Sequence, residues 1–355
     1  MRDRERGFDE SQVRMRPNPH GSRPRTKRHP EHGGAEPGLV IGVDRGRYSV
    51  LIDADTGTEH PITAMKAREL GRERVVVGDR VDVVGDTSGV DGSLARIVRI
   101  DERTTTLRRS ADDTDPVERV LVANAEQLVI VTALADPEPR PRMIDRCVVA
   151  AYDAGMEVLL CLTKADLADA SGYRAMYEPV GVDVVVTAQR PDGSIDGIDL
   201  VRTALEGRSS VLVGHSGVGK STLVNALVPD AARAIGHVNV VTGRGRHTSS
   251  SAVALRMPPL EGHRGGWVID TPGVRSFGLA HVRVEHLLAA FQDLAEVAES
   301  CPRGCTHLED SPDCELDTWA AGGSAPEDAD LPARAARLES FRRLLTSRNG
   351  GDTDR

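Results

Sequence analysis

The chain has 355 residues, 39% hydrophobic and 28% charged, with a formal net charge of −9. That length suits two or three domains, and no apolar run approaches the roughly 18 residues a membrane-spanning helix needs. The opening segment is polar and charged and the five cysteines are odd in number, so the reading is a cytoplasmic protein rather than a secreted, disulfide-framed one.

Residues 1–37 mix Arg, Pro, His and Gly without periodicity and read as a disordered basic arm, with nine Lys or Arg against four Asp or Glu in residues 1–30. Residues 38–103 carry β-rich runs (Leu39–Val43, Tyr48–Ile52, Val75–Val84 and Leu94–Ile100) split by turns at Asp44-Arg45-Gly46, Asp53–Gly57 and Gly85–Gly92. Short strands at this spacing suit a small closed barrel, for which an OB-fold is the expectation. Tyr48 is its one aromatic, so contact with RNA there would be to phosphate and shape rather than to stacked bases.

From 104 to 280 strands and helices alternate, the signature of a parallel α/β sheet. Strands are expected at Leu128–Ala133, Glu157–Leu162, Val182–Thr187, Ser210–Val213 and Gly266–Ile269, with helices at Met143–Ala154 and Lys220–Leu227. Residues 281–345 read as a helical module, Glu285–Ala298 and Ala333–Leu345 around a Cys/His cluster, and 346–355 as a frayed tail.

Lysine is scarce: only Lys27, Lys66, Lys164 and Lys220 stand among 45 basic residues. Two of these fall in nucleotide motifs, where a slender point charge has no planar substitute. Gly214-His215-Ser216-Gly217-Val218-Gly219-Lys220-Ser221 matches the phosphate-loop pattern between a strand and a helix, and Thr222 continues it. Its glycines let successive N–H groups converge on phosphate oxygens, Lys220 reaches the β- and γ-phosphates, and Ser221 is a Mg²⁺ ligand candidate. Asp270-Thr271-Pro272-Gly273 ends a later strand: Asp270 supplies the acid a Mg²⁺ shell requires, and the Gly273 N–H can approach the γ-phosphate. The stretch Gly243–Ser249 has the composition of a loop that a Thr–Mg²⁺ contact orders, with Thr248 or Ser249 as the ligand. Thr163-Lys164-Ala165-Asp166 fits guanine, the Asp166 carboxylate accepting from N1–H and the exocyclic amine, and Thr187-Ala188 would meet the guanine carbonyl oxygen through the backbone. This base-reading motif precedes the phosphate loop, the reverse of the usual order, so the GTPase domain reads as circularly permuted.

Barrel, permuted GTPase domain and Cys/His region together resemble the small-ribosomal-subunit biogenesis GTPase A family of bacteria over about residues 38–320. The resemblance rests on Thr163–Asp166, Gly214–Ser221, Gly245–Thr248 and Asp270–Gly278. It implies GTP hydrolysis stimulated by the small ribosomal subunit, contact with its rRNA and a role in late subunit maturation. Thr163 stands where the family usually has Asn. The position after Gly273, where many G proteins place the water-orienting Gln, is Val274, so His247 of the loop is the candidate to complete the catalytic site, as the resemblance also implies.

Cys301, Cys305, His307 and Cys314 form a closed tetrahedral set of the kind that binds structural zinc. Their gaps differ by one residue at either end from the family's Cys-x4-Cys-x-His-x5-Cys. Cys147 and Cys161 lie in apolar patterns and read as core. The cofactors expected are therefore GTP or GDP with Mg²⁺ and one Zn²⁺, in a monomer. Competing readings are a P-loop ATPase or kinase, a GTPase acting on another RNA such as tRNA, and a non-hydrolysing nucleotide-gated scaffold.

Overall fold

A computed structural model of the chain describes residues 33–54, 58–90, 92–110, 118–229, 231, 252–259, 265–271, 277, 279, 282, 284–323 and 331–349. Five strands come first: β1 (Glu36–Asp44), β2 (Arg47–Ile52), β3 (His60–Lys66), β4 (Arg80–Gly85) and β5 (Ala95–Ile100). They run in the order β1-β2-β3-β5-β4, and β4 returns to pair with β1, closing an OB-like barrel. All neighbours are antiparallel except β3 and β5. Val40, Val50, Ile62, Val81, Val83 and Ile97 fill the interior. Strand β3 was not among the apolar runs of the sequence because its inward residues are only Ile62 and Ala64, with Met65 facing solvent. Strand β1 starts at Glu36, inside the stretch expected to be an arm, because Glu36 and Pro37 pair with Val83 and Asp82. Tyr48 packs in the barrel core, which removes the barrel's aromatic from any stacking role.

A hairpin of β6 (Thr106–Ser110) and β7 (Glu118–Ala123) leads into the central sheet. That sheet contains β8 (Gln127–Ala133), β9 (Glu157–Thr163), β10 (Asp183–Val186), β13 (Ser209–Val213), β14 (Val253–Met257) and β15 (Gly266–Asp270), in the order β10-β9-β8-β13-β15-β14. The first five are parallel and β14 is antiparallel. Strand β8 is buried along its whole length and β9 at all but its first residue, as a parallel sheet covered on both faces demands. A short hairpin, β11 (Ala188–Gln189) with β12 (Ile195–Asp196), follows β10. The helices are α1 (Pro141–Asp153), α2 (Ser171–Tyr177), α3 (Ile198–Leu205) and α4 (Lys220–Leu227). A single bridge, Gly42 to Val253, joins the barrel to β14, so the two parts share one continuous hydrogen-bonded sheet.

The C-terminal part is helical: α5 (Val284–Ala289), α6 (Gln292–Ala298), α7 (Glu315–Ala320) and α8 (Leu331–Asn349). The single helix expected over Glu285–Ala298 is broken at Ala290-Phe291. The Phe291 ring there is fully buried edge-on against Tyr152 and Phe341, with centroids 5.7 and 5.3 Å away. Helix α8 extends past Leu345 into the residues expected to fray. No helix among the described residues is long and apolar enough to cross a membrane.

Candidate nucleotide site and Cys/His cluster

The parallel strands end on one edge, and the turns leaving them carry the motif residues. After β13 the chain approaches β8 so closely that a Cβ on Gly214 would lie 2.4 Å from the Val131 carbonyl oxygen. Gly217 and Gly219 then adopt φ of +84° and +91°, left-handed conformations that curl the loop before α4 starts at Lys220. Lys220 Nζ pairs with the Asp270 carboxylate at the end of β15. The Thr271 hydroxyl, buried, donates to the Leu212 carbonyl at 2.7 Å and fixes the chain as it leaves that strand.

The Thr163–Asp166 turn leaves β9. Thr163, 6% exposed, donates its hydroxyl to the Val218 carbonyl of the phosphate loop at 2.6 Å. Lys164 takes φ +59° and its ammonium donates to the Asp136 carbonyl. The Ala165 N–H donates to the Thr187 carbonyl at 3.1 Å, and the Thr187 N–H to the Leu162 carbonyl at 2.8 Å, which fastens the turn to the end of β10. The Gln189 N–H donates to the Asp166 carboxylate at 3.1 Å.

One cavity of about 560 Å³ spans the two motifs. Thr163, Lys164, Thr187 and Ala188 line it on one side, and Gly214 to Gly217 with Gly219 to Leu223 on the other. The volume falls within the range of small-molecule sites, about 300–1,000 Å³. Ala165, Asp166 and Val218 are not among the cavity's lining residues; Asp166 stands behind the wall, its carboxylate accepting from the N–H of Gln189, which does line the cavity. Sequence reasoning missed Gln189 and Ile195, both lining residues: they belong to a two-residue hairpin that leaves no periodic signal. Thr248, His247, Ser249, Gly273 and Val274 lie outside the described residues.

The order of these elements along the chain is guanine turn, then phosphate loop, then the acid-ended strand β15. A family model described as "RsgA GTPase" matches residues 100–280. The curated "Small ribosomal subunit biogenesis GTPase RsgA" of Pseudomonas syringae pv. tomato is 32% identical over 314 residues, 84% of each chain. A relative in Vibrio vulnificus, "Small ribosomal subunit biogenesis GTPase RsgA 1", is 33% identical over 322 residues, 89% of this chain and 84% of that one. The chain belongs to the RsgA GTPase family. Among solved structures, YjeQ from Thermotoga maritima superposes with a TM-score of 0.60 at 25% identity, covering 88% of this chain and 99% of that one. YloQ, described as a circularly permuted GTPase, has the same fold, with a TM-score of 0.59 at 23% identity over 91% and 99% of the two chains. As an RsgA-family protein the chain is a P-loop GTP hydrolase, and its substrate is a guanine nucleotide used with Mg²⁺. The donors near the phosphate loop fit that ion: the Asp270 carboxylate stands beside Lys220, and Ser221 lines the cavity at the start of α4.

A second cluster of candidate functional side chains lies between α6 and α7. The ligand atoms of Cys301, Cys305, His307 and Cys314 all fall within 4.8 Å of one another. His307 Nδ1 is 3.5 Å from Cys305 Sγ and 3.9 Å from Cys314 Sγ. A tetrahedral zinc with ordinary Zn–S and Zn–N lengths sets such edges at about 3.6 Å, so the donors fit the ion in both chemistry and spacing. Burial, reinforced by the Arg342 guanidinium, holds the His307 imidazole below its ordinary pKa and so in the neutral form that binds metal. Gly304, His307 and Asp313 all take positive φ, so the chain turns sharply between the four donors. Arg342 of α8 donates to the His307 carbonyl at 2.9 Å and grips Asp317 with two bonds of 2.7 and 2.8 Å, tying the cluster to the last helix.

Proposed function

We propose that this chain is a GTPase that binds the small ribosomal subunit and its rRNA, assists late maturation of that subunit, and hydrolyses GTP when the subunit stimulates it. The observation that carries the reading is one cavity lined by Thr163, Lys164 and Lys220, in permuted chain order, in a chain whose first five described strands form a closed barrel. The names of its RsgA relatives, small ribosomal subunit biogenesis GTPases, support the choice of partner. The working division is a barrel over 38–103, a GTPase domain over 104–280 and a zinc-binding helical module over 281–345.

In this reading the backbone N–H groups from Gly214 to Gly219 cradle the phosphates, Lys220 neutralises charge between the β- and γ-phosphates, and Ser221, Thr222 and Asp270 serve the phosphate and Mg²⁺ end. Bound Mg²⁺ would withdraw charge from the phosphate oxygens as the terminal bond breaks. Asp166 reads the guanine edge, Lys164 and Ala165 complete the turn, and Thr187-Ala188 meets the base carbonyl. With Val274 in place of a water-orienting Gln, intrinsic turnover is slow. His247 completes the catalytic site when the subunit engages, Thr248 or Ser249 supplies a Mg²⁺ ligand, and the Gly273 N–H serves the γ-phosphate.

GTP turnover by the full chain, measured alone, with purified small subunits, with large subunits and with tRNA, tests this. Turnover should rise by at least about a hundredfold with small subunits only, the scale of one added catalytic contact. Stimulation by tRNA alone, or none by small subunits, would overturn the assignment of the partner.

A further inference from the structure

Beyond Ala188, the hairpin β11–β12 is the part of the cavity wall that no nucleotide motif explains. Its turn is closed by the Arg190–Asp196 ion pair at 2.6 Å and by the Arg190 N–H donating to the Ser194 carbonyl at 2.9 Å. Its foot is fixed at Gly197, φ +79°, where a Cβ would lie 2.3 Å from the Val186 carbonyl oxygen at the end of β10. The hairpin therefore holds a set position relative to β10 and to the turn after β9. Gln189 on its first strand donates its N–H to Asp166, and Ile195, its partner across the hairpin, lines the cavity.

Ile195 is chemically out of place for a surface turn. Residues 190–194 before it and Asp196 after it are exposed, and it is half-buried between them. Most of the lining is glycine, hydroxyl, amide or cationic; besides Ile195 the apolar lining residues are Ala188 and Leu223. Leu223 lies on α4 behind the phosphate loop and is 2% exposed, so it belongs to the core. Phosphates and ribose do not favour a branched alkyl group, but the face of a purine does, because it is flat, apolar and desolvated on binding.

We propose that Ile195 covers a face of the guanine base, so that one hairpin supplies both the apolar wall through Ile195 and the orientation of Asp166 through Gln189. This rests on the guanine-site reading and adds to it a contact that reads purine shape rather than hydrogen-bond pattern. A face contact is blind to exocyclic groups, whereas Asp166 reads them.

The test is calorimetric titration of the full-length chain and its Ile195→Ala, Ile195→Thr and Ile195→Met variants with GDP and with IDP, which lacks the exocyclic amine. Ile195→Ala and Ile195→Thr should each weaken GDP and IDP in equal proportion, by about tenfold, and Ile195→Met should stay within about twofold of the parent. Threonine keeps the β-branched preference for the strand, so its loss reports the missing apolar contact rather than a melted hairpin. Wild-type affinity in Ile195→Thr, or a loss that also collapses the preference for GDP over IDP, would overturn the proposal. The second outcome would mean that the hairpin acts only by holding Asp166. A parent chain that binds neither nucleotide would reject the guanine-site reading itself.

Discussion

Across the gap between the Thr163–Asp166 turn and the phosphate loop, the hydroxyl of Thr163 donates to the Val218 carbonyl at 2.6 Å, with the Thr132 carbonyl 3.3 Å away. Threonine is shorter than the asparagine usual at this position in the family the sequence resembles, yet its hydroxyl makes the connection directly because Gly219 brings the loop to within 3.7 Å of it, measured from an ideal Cβ. Removing the hydroxyl leaves a buried carbonyl without its donor, a cost of about 1–2 kcal/mol. Thr163→Val, which keeps the shape, should weaken GDP binding about five- to thirtyfold, and Thr163→Ser should retain most of it. Equal GDP affinities for the valine and serine variants would show that the bond does not hold the two motifs together. Lys220 and Asp270 make the same point about geometry: they lie far apart in the chain and meet because β13 and β15 are parallel neighbours.

Among the arginines of helix α8, two reach the GTPase domain and one holds the Cys/His loop. Arg337 grips Asp293 and donates to the Pro179 carbonyl at 2.6 Å, Arg342 holds the His307 carbonyl, and Arg343 faces the buried Asp145 of α1 at 3.2 Å. Arg343 also lies over the Tyr177 ring of α2, 5.1 Å from its centroid. The Cys/His loop is thus linked through one helix to α2, which follows the Thr163–Asp166 turn. Metal analysis of the untagged chain should give about one equivalent of zinc, and Cys305→Ser should fall well below half an equivalent and lower the melting temperature by several degrees. A folded parent chain without zinc would refute the site. The Cys/His cluster is readable from three cysteines and a histidine in close succession. The α8 contacts are not, because arginines are common throughout this chain and none is marked by spacing.

For the whole molecule, the junction between barrel and GTPase sheet is built on backbone approach. Gly78, φ +88°, would place a Cβ 2.0 Å from the Ala123 carbonyl oxygen, and the Asn124 side chain donates to the Gly78 carbonyl at 2.9 Å. Next to it the fully buried Asp79 receives Arg103 at 2.7 and 2.9 Å. Gly78→Val should therefore cost at least about 2 kcal/mol and split the calorimetric unfolding into separate transitions. A single transition at the parent temperature would show that the parts are coupled elsewhere. No sequence signal marks Gly78 among the chain's 35 glycines, since its constraint is set by a carbonyl far along the chain.

Local chemistry settled the parts whose information is contiguous. The phosphate loop, the Thr163–Asp166 turn, the Cys/His donors and the buried parallel strands each need particular residue types at fixed short spacing, and so they stand in the sequence as written. Their permuted order was equally readable, because order is a property of the chain. Contacts between distant segments belong to tertiary structure: the third barrel strand held by its neighbours, the helix broken at Phe291, the hydroxyl of Thr163 meeting Val218, and Ile195 carried into the cavity wall by a two-residue hairpin. These depend on where the backbone runs in space, and no local pattern of residue types encodes that distance.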